Sequence, residues 1–252
     1  MCDALIEVQR EGALTVLKLA RLAKGNSLSA AMVGQISAAV TTCHTDGTRA
    51  LLIRADGANF CTGFDLSDLD AETDDTLLAR FVRVELLLQS VHRAPFLTAA
   101  LAQGKAWGAG ADLFAACSLR WAAAGATFAF PGAGFGLVLG TGRLGALVGP
   151  AHASDWILRG RRVGAQDAMA AGLVQRCLAE PQADDDLRQT LLQCTTRLDA
   201  TSQRQIGVAL RTRSAADDAS DLARLVESAA RPGLKGRIEA YRAATASPAS
   251  RT

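Results

Sequence analysis

The 252-residue sequence predicts a single α/β domain, and three observations carry that expectation. Short apolar runs of strand length alternate with stretches whose apolar residues recur at helical spacing. Two of those runs lead into glycine-rich turns, FCTGFDL at Phe60 to Leu66 and GKAWGAGADL at Gly104 to Leu113. From Asp184 onward the pattern is wholly helical.

Leu5 to Gln9 and Leu14 to Leu19 alternate on either side of Glu11-Gly12, which predicts a β-hairpin. Ser27 or Ser29 can N-cap a helix with Met32, Val33, Ile36 and Val40 on one face. Ala50 to Ile53 read as a buried strand before FCTGFDL, and Thr76 to Val91 as a long helix. After Pro95, Phe96 to Leu101 form another buried strand, and a helix from about Gly108 to Cys117 follows the second turn. Short strands fit Ser118 to Ala122, Thr127 to Phe130 and Leu173 to Cys177. Further helices fit Asp184 to Leu198, Ser202 to Thr212, Asp217 to Ala229 and Leu234 to Ala244, and the tail ATASPASRT is expected to fray.

At this length one core can bury roughly 70–75% of the unfolded surface. The 27 basic and 25 acidic side chains leave a net charge of +2 without a run of one sign, so nothing points to nucleic acid. The six cysteines, Cys2, Cys43, Cys61, Cys117, Cys177 and Cys194, include no CxxC pair and read as reduced small hydrophobes in a cytoplasmic chain. MCDALIEVQREG has no signal-peptide pattern, and no stretch of 18 apolar residues follows, so a soluble protein without a membrane partner is expected. His44, His92 and His152 stand at no metal-ligand spacing, so no metal site is expected, and no Ser-His-Asp set can be argued.

A strand that turns through glycine into a helix leaves the first helical N–H groups without intrahelical partners. Backed by the positive end of the helix dipole, those donors can hold negative charge. Gly104 to Gly110 has that form, and FCTGFDL supplies a second turn with Gly63 as pivot. Together they suit a reacting carbonyl oxygen, whereas either one alone reads equally as an ordinary turn. Gly140-Thr141-Gly142-Arg143-Leu144-Gly145 also satisfies GxGxxG after the apolar Leu137-Val138-Leu139. That fingerprint expects an acidic residue about 20 positions on at the end of the next strand. Asp167 falls in a helical stretch and Glu180 is too far along, so an NAD-dependent oxidoreductase is a remote alternative.

Taken in order, Asn26-Ser27-Leu28-Ser29, RALLIRADGANFCTGFDLSDL, the stretch from Pro95 through GKAWGAGADLFAACSLRWAAAGATFAFP, and GLV at Gly172 resemble the enoyl-CoA hydratase/isomerase (crotonase) family. The resemblance covers about Leu5 to Leu178, with a weaker echo in PGLKGRIEAYR. It implies a crotonase-like α/β fold: a spiral core of ββα units over residues 1–183, then a C-terminal helical trimerisation region over 184–252 that builds homotrimers or hexamers. The expected partner is an acyl-CoA thioester, with coenzyme A part of the substrate and no separate cofactor. The family's two backbone oxyanion donors carry over to Phe64 and Ala109. Thr62, Gly63, Phe64, Asp65, Leu66 and Gly108 fall in the substrate-binding segments. Arg21 and Lys24 are candidates for the coenzyme A phosphates, or else solvated loop charges.

Hydratases of the family carry two glutamates, one at the fourth position of the helix after the second segment and one directly after a later proline. This sequence has Asp112 and Gly132 there. Asp112 is shorter than glutamate by about 1.5 Å, and burial beside Phe114 and Trp107 would raise its pKa towards neutrality. Asp65 reads first as a helix N-cap, and Asp65, Asp68 or Asp70 are the other carboxylates near the segment. GFGLVLGTGRL is about three residues shorter than the family's form, implying a reshaped acyl pocket. A single-carboxylate enzyme is therefore expected, with a catalytically silent acyl-CoA scaffold as the alternative. The acyl group cannot be read from Phe81, Phe135 or Trp156.

Overall fold

A hairpin begins the sheet: β1 (Ile6–Glu11) and β2 (Leu14–Leu19) pair antiparallel, with Ile6 opposite Leu19 and Glu11 opposite Leu14. The structure is a computed structural model and describes residues 5–179 and 182–246. Cys2, Glu180 and the end of the ATASPASRT tail lie outside that range.

The remaining strands are β3 (Ala50–Ala55), β4 (Leu97–Ala102), β5 (Lys105–Trp107), β6 (Leu119–Ala123), β7 (Thr127–Ala129), β8 (Val163–Gly164) and β9 (Arg176–Leu178). One sheet has the order β1-β2-β3-β4-β6-β9 and is parallel from β2 onward. A second, smaller sheet runs β5-β7-β8. Successive strands β4 and β5, and again β6 and β7, divide between the two sheets, which turns the chain through a spiral. β2, β3 and β4 are apolar on both faces because helices cover each side.

The helices are α1 (Ala30–Thr42), α2 (Asp74–His92), α3 (Ala109–Ala116), α4 (Thr141–Leu158), α5 (Ala165–Ala170), α6 (Gln182–Arg197), α7 (Ala200–Ala209), α8 (Ala215–Ala229) and α9 (Leu234–Ala246). Ser29, not Ser27, caps α1 by accepting the Met32 amide. Thr73 and Thr76 close a reciprocal cap on α2. α4 is broken at Gly149-Pro150, where proline has no amide hydrogen to continue the helical ladder. Helices α1, α2 and α3 supply the main core with Leu17, Ile53 and Ala100 of the sheet. On the other face, Ala183, Leu187 and Leu191 of α6 pack on Leu14, Leu52 and Trp121. A third cluster joins Phe81 of α2 to Leu225 of α8 and Ile238 of α9.

One strand expectation needs correction. The strand expected over Leu173 to Cys177 lies at Arg176–Leu178. Leu173 and Val174 are instead fully buried anchors whose amides both donate to Ala168 O. Leu137-Val138-Leu139 is not a strand, so the GxGxxG stretch lacks the strand that a dinucleotide fingerprint requires. β5 and β8 went unread because two or three residues are too few to show a period.

Candidate functional site

The two glycine-rich segments are joined directly. Cys61 and Ala106 form a parallel bridge, with Cys61 N donating to Lys105 O at 3.0 Å and Trp107 N to Cys61 O at 2.9 Å. A second bridge, Leu28 with Phe64, ties the first segment to the loop before α1 through Leu28 N to Gly63 O and Asp65 N to Leu28 O. That loop is pinned by Asn26, whose side chain accepts from Arg21 N and donates to Asp56 O and Asn59 O.

Because Phe64 bonds to Leu28 only through its flanking residues, its own N–H is left over. Among the described residues the amides of Phe64 and Ala109 donate to no backbone acceptor outside the helices and strands, and Ala109 opens α3, where no intrahelical partner exists. Gly63 holds the segments in register: its φ is +105°, and an added Cβ would meet Trp107 O at 2.9 Å and stand 3.7 Å from Ala109 N. Any side chain there would push the two amides apart.

Both residues line a pocket of about 130 Å³ that opens to solvent. Its walls are mainly apolar, with Phe81, Phe135, Leu137 and Leu139 among them. Phe64 stacks on Phe81 at 4.2 Å, and the Arg80 guanidinium lies over its other side. Thr62, Gly63, Leu66 and Gly108 also face this space. Trp156 does not: it is buried and stacks on Phe130. Tyr241 closes one side from α9, its ring pressed onto Gly134 and edge-on to Phe135.

Asp112, fourth residue of α3, is the one carboxylate lining the pocket among the described residues, and its residue is 5% exposed. No described side chain or backbone donor bonds to its carboxyl group. Burial therefore holds that carboxyl well above the usual carboxylate range, with Arg143 pulling it down and Glu85 pushing it further up. Gly132 lines the same pocket and offers no acid or base. A Cβ added to it would meet nothing closer than Leu137 at 3.8 Å.

Asp65 is not a helix N-cap, because no helix starts there. Its Oδ1 accepts from Ser67 N and Oγ, and its Oδ2 pairs with Arg21 at 2.6 Å. Burial opposes its ionisation, but Ser67 and Arg21 outweigh that and keep the carboxyl below its ordinary value. Arg21 also donates to Ser27 O and Oγ, so its guanidinium is engaged within the loop. Lys24 is exposed beside Thr62, whose hydroxyl lies 3.4 Å from Lys24 O. Asp68 and Asp70 are exposed and outside the pocket.

Behind Asp112 lies a cluster that sequence reasoning missed. Arg143 forms a doubly hydrogen-bonded pair with Glu85, and both are essentially fully buried. Asp221 of α8 stands 3.7 Å from Arg143 and 2.7 Å from Arg213. The signal available was Glu85 within the apolar face of a helix, at a spacing that should have faced the core. Two of the GxGxxG glycines, Gly140 and Gly142, serve this cluster. Gly140 touches Asp112, and a Cβ on Gly142 would meet Asp221 Oδ1 at 2.5 Å.

His44 packs edge-on to Phe96, and His152 sits 3.1 Å from Val148 O. Cys43, Cys61, Cys117, Cys177 and Cys194 are free thiols, and burial pushes Cys61 and Cys117 up to about 12. Among the described residues no group of three His, Cys, Asp or Glu could hold a metal, and no helix is long and apolar enough to cross a membrane.

A six-stranded, mostly parallel sheet whose strand pairs feed a second sheet, with a helix opening from the second glycine-rich turn at a lined pocket, defines a crotonase fold. The sequence comparisons narrow this to one family. The model of the enoyl-CoA hydratase/isomerase family matches residues 9–228, and the chain belongs to that family. A crystal structure from Bordetella parapertussis that carries the same family name superposes with a TM-score of 0.91 at 38% identity, over 95% of this chain and 98% of that one. An enoyl-CoA isomerase/hydratase of Penicillium crustosum is 32% identical over 189 residues, 71% of this chain but 21% of that protein. A second, from Zymoseptoria tritici, is 31% identical over 186 residues, 68% of this chain and 58% of its own length. The chain thus spans about a fifth and just over half of these two relatives.

Proposed function

We propose that this protein is an acyl-CoA enzyme of the hydratase/isomerase type in which a single carboxyl group moves the proton. The amides of Phe64 and Ala109 hold the thioester oxygen as it gains charge, a kind of contact whose loss elsewhere costs about 2.7–4 kcal/mol of transition-state stabilisation. Asp112 takes a proton from the carbon next to the thioester, leaving an enolate, and returns it to a carbon further along the chain. A double bond is thereby shifted without consuming water. Hydration would need a second group to activate water, and Gly132 stands where that group would be.

The observation that carries this reading is Asp112, buried without a bonding partner at a pocket that contains no other carboxylate among the described residues. A carboxyl group with a raised pKa is a stronger base than an exposed one. Thr62, Gly63, Asp65, Leu66 and Gly108 are assigned to the acyl-CoA binding segments, with Lys24 the freer candidate for its phosphates. Helices beyond residue 183 are assigned to subunit contacts in a trimer or hexamer, in keeping with exposed Ile206, Val208 and Leu210 on and after α7.

Incubation with crotonyl-CoA and with a 3-enoyl-CoA, compared with Asp112→Asn, tests the reading. Isomerisation of the 3-enoyl thioester that the substitution abolishes supports it. The glycine at position 132 favours a second reading, a silent acyl-CoA-binding scaffold, which tight binding without turnover would support. Failure to bind any acyl-CoA would sink both.

A further inference from the structure

We infer that the buried Glu85–Arg143 pair, anchored by Asp221, is a positioning unit for Asp112: it holds the Gly140 turn against the carboxyl group and fixes the charge behind it. The inference rests on Asp112 being the working acid-base group.

Three helices meet here. α2 brings Glu85, α3 brings Asp112, and the first turn of α4 brings Arg143 three residues after Gly140, whose backbone touches the Asp112 carboxyl. An ion pair this buried is weak evidence for stability, since apolar replacements of similar volume are often neutral or better. The cluster is also not tuned for full pairing. Arg143 Nε, Arg213 Nε, Arg93 Nη2, Asp218 Oδ1 and His92 Nε2 are buried without a hydrogen-bond partner among the described residues. What the pair does achieve is local. The two Glu85 oxygens fix the Arg143 fork, and with it the start of α4, at the point where Gly140 confines Asp112.

Each element packed around the cluster carries charged groups. α2 contributes Glu85 and, at its end, His92 and Arg93. α4 contributes Arg143, β5 contributes Lys105 over the Trp107 ring, and α8 contributes Asp218, Asp221 and Arg224, with Arg211 and Arg213 just before it. Of these, Arg143 and Glu85 act on Asp112 directly and in opposite senses.

Infrared titration of the full chain reads the Asp112 carboxyl itself, with Asp112→Asn assigning its C=O band. Glu85→Gln removes the anion and leaves the cation, so the Asp112 midpoint is expected to fall by about one pH unit. The pH profile of kcat should follow the same shift, with KM unchanged. An unchanged midpoint in folded Glu85→Gln overturns the inference. Should that variant not fold, Asp221→Asn removes the more distant carboxylate. It is expected to lower the midpoint by about half as much, and an unchanged midpoint there also overturns the inference. Because the band reports protonation whether or not the enzyme turns over, a chain without isomerase activity refutes the proposed function separately.

Discussion

The carboxyl group of Asp112 rests on the α-carbon of Gly140: a methyl group built there would lie 2.0 Å from Oδ1. Gly140 also has a φ of +65°, which an L side chain rarely adopts. Gly140→Ala is therefore expected to displace Asp112 by a sizeable fraction of an ångström and to lower kcat/KM by on the order of a hundredfold. Steady-state kinetics on a 3-enoyl-CoA checks this, and a variant with wild-type kcat would contradict the packing.

Replacing the acid by its neutral isostere should stabilise the fold. A carboxyl whose folded pKa is raised contributes stability that is present below the unfolded value of about 3.9 and lost as pH rises towards the folded value. Asp112→Asn escapes that loss. Its melting temperature should exceed the wild type's by a margin that widens from pH 4 upward until the folded pKa is passed. A margin independent of pH would show that the carboxyl is not strained by burial.

His92 runs the other way. Burial holds its imidazole down at about 4, with Arg143 adding to the effect, against an ordinary value of 6.5. Its stability contribution is full above about 6.5 and is lost as pH falls through about 4, with a limiting slope of about 1.4 kcal/mol per pH unit. In His92→Gln the denaturation midpoint should change less steeply between pH 6.5 and 4. An identical slope would place the acid sensitivity elsewhere.

Gly132 has room for a side chain, since the nearest atom to an added Cβ is 3.8 Å away. Gly132→Glu is expected to fold with a stability within about 1 kcal/mol of the wild type. By supplying a second acid-base group it should raise water addition to crotonyl-CoA by on the order of a hundredfold. Loss of the crotonyl-CoA absorbance measures it, and a folded variant with no gain would mean that water cannot reach the site.

Tyr241 belongs to the last helix yet walls the acyl pocket. Tyr241→Ala should raise KM roughly tenfold through lost contact area, about 1.4 kcal/mol, with kcat little changed. An effect confined to kcat would give the phenol a part in the chemistry instead.

Much of the fold was legible because its elements obey local rules. The alternation of β1 and β2, the Ser29 cap and the apolar stripe Met32, Val33, Ile36 and Val40 each depend on neighbours within a few residues. The two glycine-rich segments were legible for the same reason. β5 and β8 were not, since they exist only through pairing with β7. The strand expected at Leu173 failed because an apolar run can be a buried anchor as well as a strand, and only its hydrogen bonds decide.

The sequence by itself determined the family, and it offered the amides of Phe64 and Ala109, the carboxylate Asp112 and the side-chain-free Gly132 as candidate site positions. Chain-local features sufficed there: a glycine turn opening a helix, and the residue type at each position. Tertiary structure alone decided that Asp65 is taken up by Arg21, that Trp156 misses the pocket while Tyr241 reaches it, and that Glu85 and Arg143 stand behind Asp112. Arg21 and Asp65 are 44 positions apart in the chain, and Glu85 and Arg143 are 58 apart. The charge state of a buried acid depends on which distant groups share its low-dielectric surroundings, and no spacing in the sequence records that.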